Sequence, residues 1–242
     1  MLVMRLAMHD SMLMNAILAL AARYDGSTGE MSAKKDGEAA LYHFRCLTQL
    51  IPALRESSHA IETLFATVVT AQLYEELGPC VGNARMHLDG SSRILDQAAD
   101  EGVLVDGGLI AAAGWVHLRQ AIGTALLNQK FLDVRLSNFK DIVSSKAVDD
   151  SAYTNRIVYH FARALQLFYS VPNTDNAQYF DLQSDSQRKS INEDCDTWFR
   201  NRPSSFNPLF YEAPNHNKKQ PFSRILLSRA PHGNYSTQLW SC

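Results

Sequence analysis

Apolar residues recur along most of this 242-residue chain at the three- and four-residue spacing of amphipathic helices. Asp10 or Ser11 can cap a helix running to about Tyr24 and stopping at Asp25-Gly26. Leu13, Ile17, Leu20 and Ala21 mark one of its faces, and Met12, Leu18 and Ala22 cover most of the rest, so it belongs inside a multi-helix core. A second helix is predicted from about Glu38 to Leu50. Its inner side would be Leu41, Phe44, Leu47 and Leu50 or Ile51, and Pro52 would end or kink it. The third is the clearest, with Ile61, Leu64, Phe65, Val68, Val69, Gln72 and Leu73 in register and Gly78-Pro79 closing it. A fourth, from about Asn83 to Ala99, turns Leu88, Ser91, Ile94, Leu95 and Ala98 inward.

A fifth helix starts near Leu109 and contains "GWVHLRQAIGTALLNQ", residues 114–129. Trp115, Leu118, Ile122 and Leu126 read as core, which makes this the central helix of the domain. Arg119, Gln120, Asn128 and Gln129 are then expected to form a polar network tying it to its neighbours and the following loop, since buried polar groups need partners. Gly114 and Gly123 suggest close helix–helix approach. After Gln129, "KFLDVRLS" alternates but is too short and solitary to promise a sheet. A sixth helix follows from Asp150 or Ser151 through Tyr153, Ile157, Val158, Phe161, Leu165 and Phe168, and a shorter one surrounds Ile191 to Phe199. Beyond Arg202-Pro203 the prolines multiply and periodicity ends. The prediction is an all-α fold of six to eight helices, one domain over 6–200 with an irregular tail over 201–242.

Composition narrows the function classes. A net charge of -2 gathers neither nucleic acid nor anionic membrane, and the candidate basic patches, Lys34-Lys35 and Lys218-Lys219, are lysine pairs of a kind common on any surface. Cys46, Cys80, Cys195 and Cys242 stand far apart with no Cys-x-x-Cys, which favours reduced thiols over a zinc site or a disulfide framework. The apolar "MLMNAILALAA" tempts a secretion-signal reading. His9, Asp10 and Asn15 interrupt what should be a basic region followed by an unbroken apolar one, so a buried helix is preferred, and the sequon at Asn234 would matter only in a secreted protein. No apolar run approaches the ~20 residues of a membrane span.

Catalytic chemistry finds little support. The eight histidines are scattered, and His87, His117 and His160 each fit a core-edge residue with one hydrogen bond better than a ligand or base. Ser32–Lys35 and Ser186–Lys189 fit a Ser-x-x-Lys pattern that arises often by chance. Tyr74-Glu75-Glu76 suggests an ion pair with an arginine of a neighbouring helix, Arg93 or Arg119 being candidates. No cofactor or metal is expected.

Taken in order, "HDSMLMNAILALAARY", "YHFRCLTQLIPAL", "ATVVTAQLYEELG", "HLDGSSRIL" and "WVHLRQAIGTALLNQ" resemble consecutive helices of the fungal-specific transcription factor domain. "TWFRNRPSSFNPLFYE" is similar to that family's later Trp…Arg-Pro…Phe-x-Pro segment. The resemblance runs from about Leu6 to about Phe222. It implies an all-α regulatory region of a nuclear transcription regulator, without catalysis, acting through protein partners, dimerisation or a small-molecule effector. No catalytic residue is carried over, because the family assigns none.

Two departures shape the expectation. The six-cysteine block that holds two zinc ions in the family's DNA reader is missing, so direct DNA binding is not expected of this chain. "RAPHGNYSTQLWSC" lacks helical periodicity where the family continues into further helices, which suggests a truncated relative or a misread gene. Apolar faces left without their usual neighbours would then promote oligomerisation. The alternatives are an effector sensor with an apolar molecule between helices, and an enzyme whose cleft is not visible in the sequence.

Overall fold

Helix accounts for nearly all the regular structure, as the spacing of apolar residues requires. A computed structural model describes residues 2–26, 32–55, 60–78, 84–144, 149–170, 177–214 and 222–226. Cys80, Cys242, Pro79, Lys218-Lys219, Asn234 and the segment after Leu226 lie outside the described residues, as do the side chains of Lys34, His87 and Leu88. The chain divides into two compact units, Met1–Asn128 with Asp133–Asn138, and Gln129–Leu132 with Phe139–Cys242.

The first unit holds α1 (Leu2–Ala7), α2 (Ser11–Gly26), α3 (Ser32–Ala53), α4 (Ile61–Glu76), α5 (Ala84–Asp100) and α6 (Leu109–Asn128). Asp10 caps α2, its Oδ1 accepting the amide of Leu13 at 2.9 Å. α3 runs through Pro52 in its last turn, further at both ends than predicted. α4 packs against α2, α3, α5 and α6, and its buried residues Phe65, Ala66, Thr67, Val68, Val69, Ala71, Gln72 and Tyr74 cover most of its circumference. α6 is also buried nearly all round, Trp115, Leu118 and Ile122 included.

The inner face of α3 is a correction. Leu50 is buried and Leu47 partly so, but Leu41, Phe44 and Ile51 are about half exposed or more. The buried positions are instead Ala39, Cys46, Leu50 and Ala53, set against Met12, Ala16 and Ala19 of α2. Small side chains let α2 and α3 approach closely, and the bulky apolar residues are turned out. Gly123 is a second correction. A Cβ there would meet nothing within 4 Å, so this glycine serves no close approach.

The alternating "KFLDVRLS" segment has no regular structure up to the 3-10 turn at Leu136–Phe139. Leu132, Val134 and Leu136 are buried, so the alternation reports burial of every second side chain without a partner strand. Arg135 donates to the carbonyl of Asp96 and to Asp100, and Asn138 donates to Asp96, fastening 133–138 to α5 by side chains.

The second unit holds α7 (Lys140–Val143), α8 (Asp150–Phe168) and α9 (Ala177–Arg200), then a ribbon of β1 (Phe210–Glu212) and β2 (Arg224–Leu226). The cap of α8 is Asp149, one residue before the expected position, accepting the amide of Ala152 at 2.7 Å. Phe168 is exposed, since the last turn of α8 carries it out of the core stripe. α9 is far longer than the predicted segment around Ile191 to Phe199, because its outer residues are polar and carry no apolar period. The antiparallel ribbon pairs Phe210 with Leu226 and Glu212 with Arg224, inside a tail read from sequence as irregular.

The Trp…Arg-Pro…Phe stretch closes this unit. Trp198 Nε1 donates to the Tyr153 carbonyl at 2.8 Å, and Tyr153 Oη donates to the Trp198 carbonyl at 3.0 Å. Phe206 meets the edge of Trp198, 5.7 Å between ring centres, and Arg202 lies over Phe199 at 3.8 Å.

Two stability outcomes follow. Gly123→Ala should stabilise the protein by about 0.5–1 kcal/mol, because alanine is the better helix former and the space is open. Asp10→Ala should destabilise it by about 1 kcal/mol through loss of the cap. Urea unfolding of the three proteins checks both signs.

Candidate functional site

The polar group that ties α6 to a neighbouring helix is an imidazole. His117 is fully buried, with Ser91 Oγ 3.2 Å from Nδ1 and Ser92 Oγ 3.1 Å from Nε2. Gln72 of α4 donates through Nε2 to Ser91 Oγ at 3.1 Å. These contacts suit one proton arrangement: Ser91 accepts from Gln72 and donates to Nδ1, while Nε2–H donates to Ser92. The edge-on ring of Phe65, 6.1 Å away between centres, completes the surroundings. Burial drives the imidazole pKa from an ordinary 6.5 down to about 4, so His117 is neutral at physiological pH.

The predicted network residues occupy other positions. Arg119 donates to the Trp115 carbonyl and Asn128 to the Thr124 carbonyl, each one turn back along α6. Partial burial raises the Glu76 pKa above the usual carboxylate range, and the buried Gln120 side chain beside it only partly opposes that rise. Neither amide atom of Gln120 has a partner at good hydrogen-bond geometry, nor does Gln72 Oε1. Gln129 is exposed and leaves the helix with a φ of 50°, the left-handed turn that ends α6. Leu126, placed in the core from sequence, is 40% exposed, a correction that comes with its position in the last turn beside exposed Leu127 and Asn128.

A second polar cluster joins α2, α3 and α4. Arg23 Nη2 donates to Tyr74 Oη at 2.6 Å, with its guanidinium over the Tyr74 ring at 4.4 Å. His43 stacks on the same ring, 4.2 Å between centres, and brings Nε2 to 3.4 Å from Glu75 Oε1. His43 is thus a partner of Glu75 that sequence did not suggest. In the second unit Arg163 holds Asp194 at 2.5 Å, and His160 lies 3.7 Å from the same carboxylate. Desolvation lowers the His160 pKa, with Arg163 adding to it and Asp194 opposing.

None of these clusters has the layout of a catalytic centre. Ser186 and Lys189 are exposed on α9, without a shared cleft. Among the described residues no group of three or more His, Cys, Asp or Glu side chains is placed to hold a metal ion. Among them, too, no helix is long and apolar enough to cross a membrane. Burial raises the thiol pKa of Cys46 to about 11, which keeps it unreactive.

Sequence reasoning placed Gln72 and Ser91 on inner faces, and two inward polar positions on separate helices were the signal for the network. What was missing was the adjacency of α4, α5 and α6 that brings them to His117.

The described residues of the first unit are mostly helical, and their buried polar contacts join helix to helix. The family model for the fungal specific transcription factor domain matches residues 1–198, and the chain belongs to that family. Its role is that of a transcription-regulator-like protein, in a family that is regulatory and generally non-enzymatic. No curated protein and no solved structure matches the chain.

The buried imidazole sets a pH dependence. Its folded pKa lies below its unfolded value, so the stabilisation is full above pH 6.5 and is lost as pH falls towards 4. A shift of this size corresponds to roughly 3 kcal/mol. Unfolding free energies measured across that window should fall with acidity, and His117→Gln should flatten the His117 part of the fall. An unchanged slope in the variant would contradict the assignment.

Proposed function

We propose that this protein regulates transcription in the nucleus through its helical domain, by contacts with other macromolecules and without chemistry on a substrate. The observation that carries the reading is the family match over residues 1–198. In support, the buried polar clusters join helix to helix, a structural use of His, Ser, Gln and Arg. Direct DNA contact is no part of the reading, because the net charge is -2 and no zinc-cluster cysteine block is present in the sequence. Control of a single pathway, such as a metabolic gene cluster, fits the same role.

Fusing the whole chain to an unrelated DNA-binding module tests this in a fungal reporter strain. Reporter output should rise or fall relative to the module alone, and a fluorescently tagged chain should collect in the nucleus. Output equal to that of the module alone would overturn the reading.

A groove between α8 and α9 supports a second reading, effector sensing. It is a half-open groove of about 530 Å³ that sets Leu167, Phe168 and Ile191 beside Ser184, Asp185 and Arg188. A small molecule with an apolar body lodged there would raise the melting temperature with concentration. Phe168→Asp should remove that rise while leaving the unliganded melt in place.

A further inference from the structure

α3 carries a second apolar stripe, on the side away from the core. Gly37, Leu41, Phe44, Thr48 and Ile51 follow one another on α3 at alternating four- and three-residue steps, the spacing of a helix–helix seam, and Arg55 continues the step in the turn just after the helix. All six are exposed, Phe44 at 64%, Ile51 at 51% and Leu41 at 48%. A Cβ at Gly37 would meet nothing, so that end of the stripe is open. Leu54, 48% exposed, and Ala40 widen the apolar band along one flank.

We propose that this stripe is a self-association surface on which the α3 helices of two copies pack antiparallel about a two-fold axis near residue 46. The argument is the order of side-chain sizes. Around that axis Leu41 meets Ile51, Phe44 meets Thr48 and Gly37 meets Arg55, so bulky residues oppose small ones or branched aliphatic ones at every layer. An isologous contact requires this self-complementarity. Charge agrees with it: Glu38 at one end and Arg55 at the other are both exposed, and antiparallel packing brings each Glu38 towards the partner copy's Arg55. Arg45 faces its own copy near the axis, which weakens the contact without clashing sterically. The exposed apolar area on offer is on the order of 400 Å² per copy, against about 800 Å² for a standard interface. The dimer is therefore a weak, reversible one. It stands independently of the transcriptional reading, which concerns what the protein regulates.

Sedimentation of the full chain under reducing conditions, from about 1 to about 200 µM, tests the proposal over the range of a weak dimer. A concentration-dependent monomer–dimer equilibrium is expected. Phe44→Glu should leave only monomer, with an unchanged helical spectrum and melting temperature, because the residue is exposed. Glu38→Lys and Arg55→Glu should each weaken the dimer by about threefold to tenfold, through two symmetric pairs. The double variant should recover most of that loss, which a contact with any other protein or surface would not produce. A strictly monomeric wild-type chain would overturn the proposal and leave the stripe to a different partner. So would dimers or larger assemblies that Phe44→Glu does not affect.

Discussion

An imidazole cannot be buried in a helical core unless its neighbours accept and donate the protons it needs. His117 meets this condition with one hydroxyl on each ring nitrogen, both from α5, and α4 extends the chain through Gln72. Sliding α6 by one residue against α5 would leave both nitrogens without partners in a dry interior, a cost of several kcal/mol. The network therefore sets the register among α4, α5 and α6, which the non-directional apolar contacts around it cannot do. Because α4 also meets α2 and α3, that register reaches the whole first unit.

The α2–α3 contact rests on a different principle. Here the buried residues are mostly small, with Ala16, Ala19, Ala39 and Ala53 inside, and Met12, Cys46 and Leu50 filling the remaining gaps. Close backbone approach replaces bulky packing, and the larger apolar side chains of α3 are left on the opposite face. At the open end of this pair Arg23, Tyr74 and His43 stack in series, so aromatic and cation–π contacts close the edge where aliphatic packing stops.

The second unit is held by a reciprocal clasp. Tyr153 and Trp198 each donate to the other's backbone carbonyl, so the buried phenol and the half-buried indole both have their polar ends satisfied. Phe206 docks on the pair through the short turn at Ser204–Phe206, and Ser205 donates to Asp150 at 2.7 Å. Pro203 starts the turn that returns Phe206 to the indole of Trp198.

Periodicity established most of the helices and the burial of Trp115, Leu118 and Ile122, while the order of several motifs, not their periodicity, carried the resemblance to the family. These are local or near-local properties, written in three- and four-residue spacing and in capping residues such as Asp10. It could not choose between the two apolar faces of α3, because hydrophobicity favours the larger one and the α2 contact requires the smaller. Nor could it assign partners to His117, Glu75 or Gln120. Each partner lies on another helix, tens of residues away in the chain, and only the packing of α4 against its four neighbours decides which polar side chains meet.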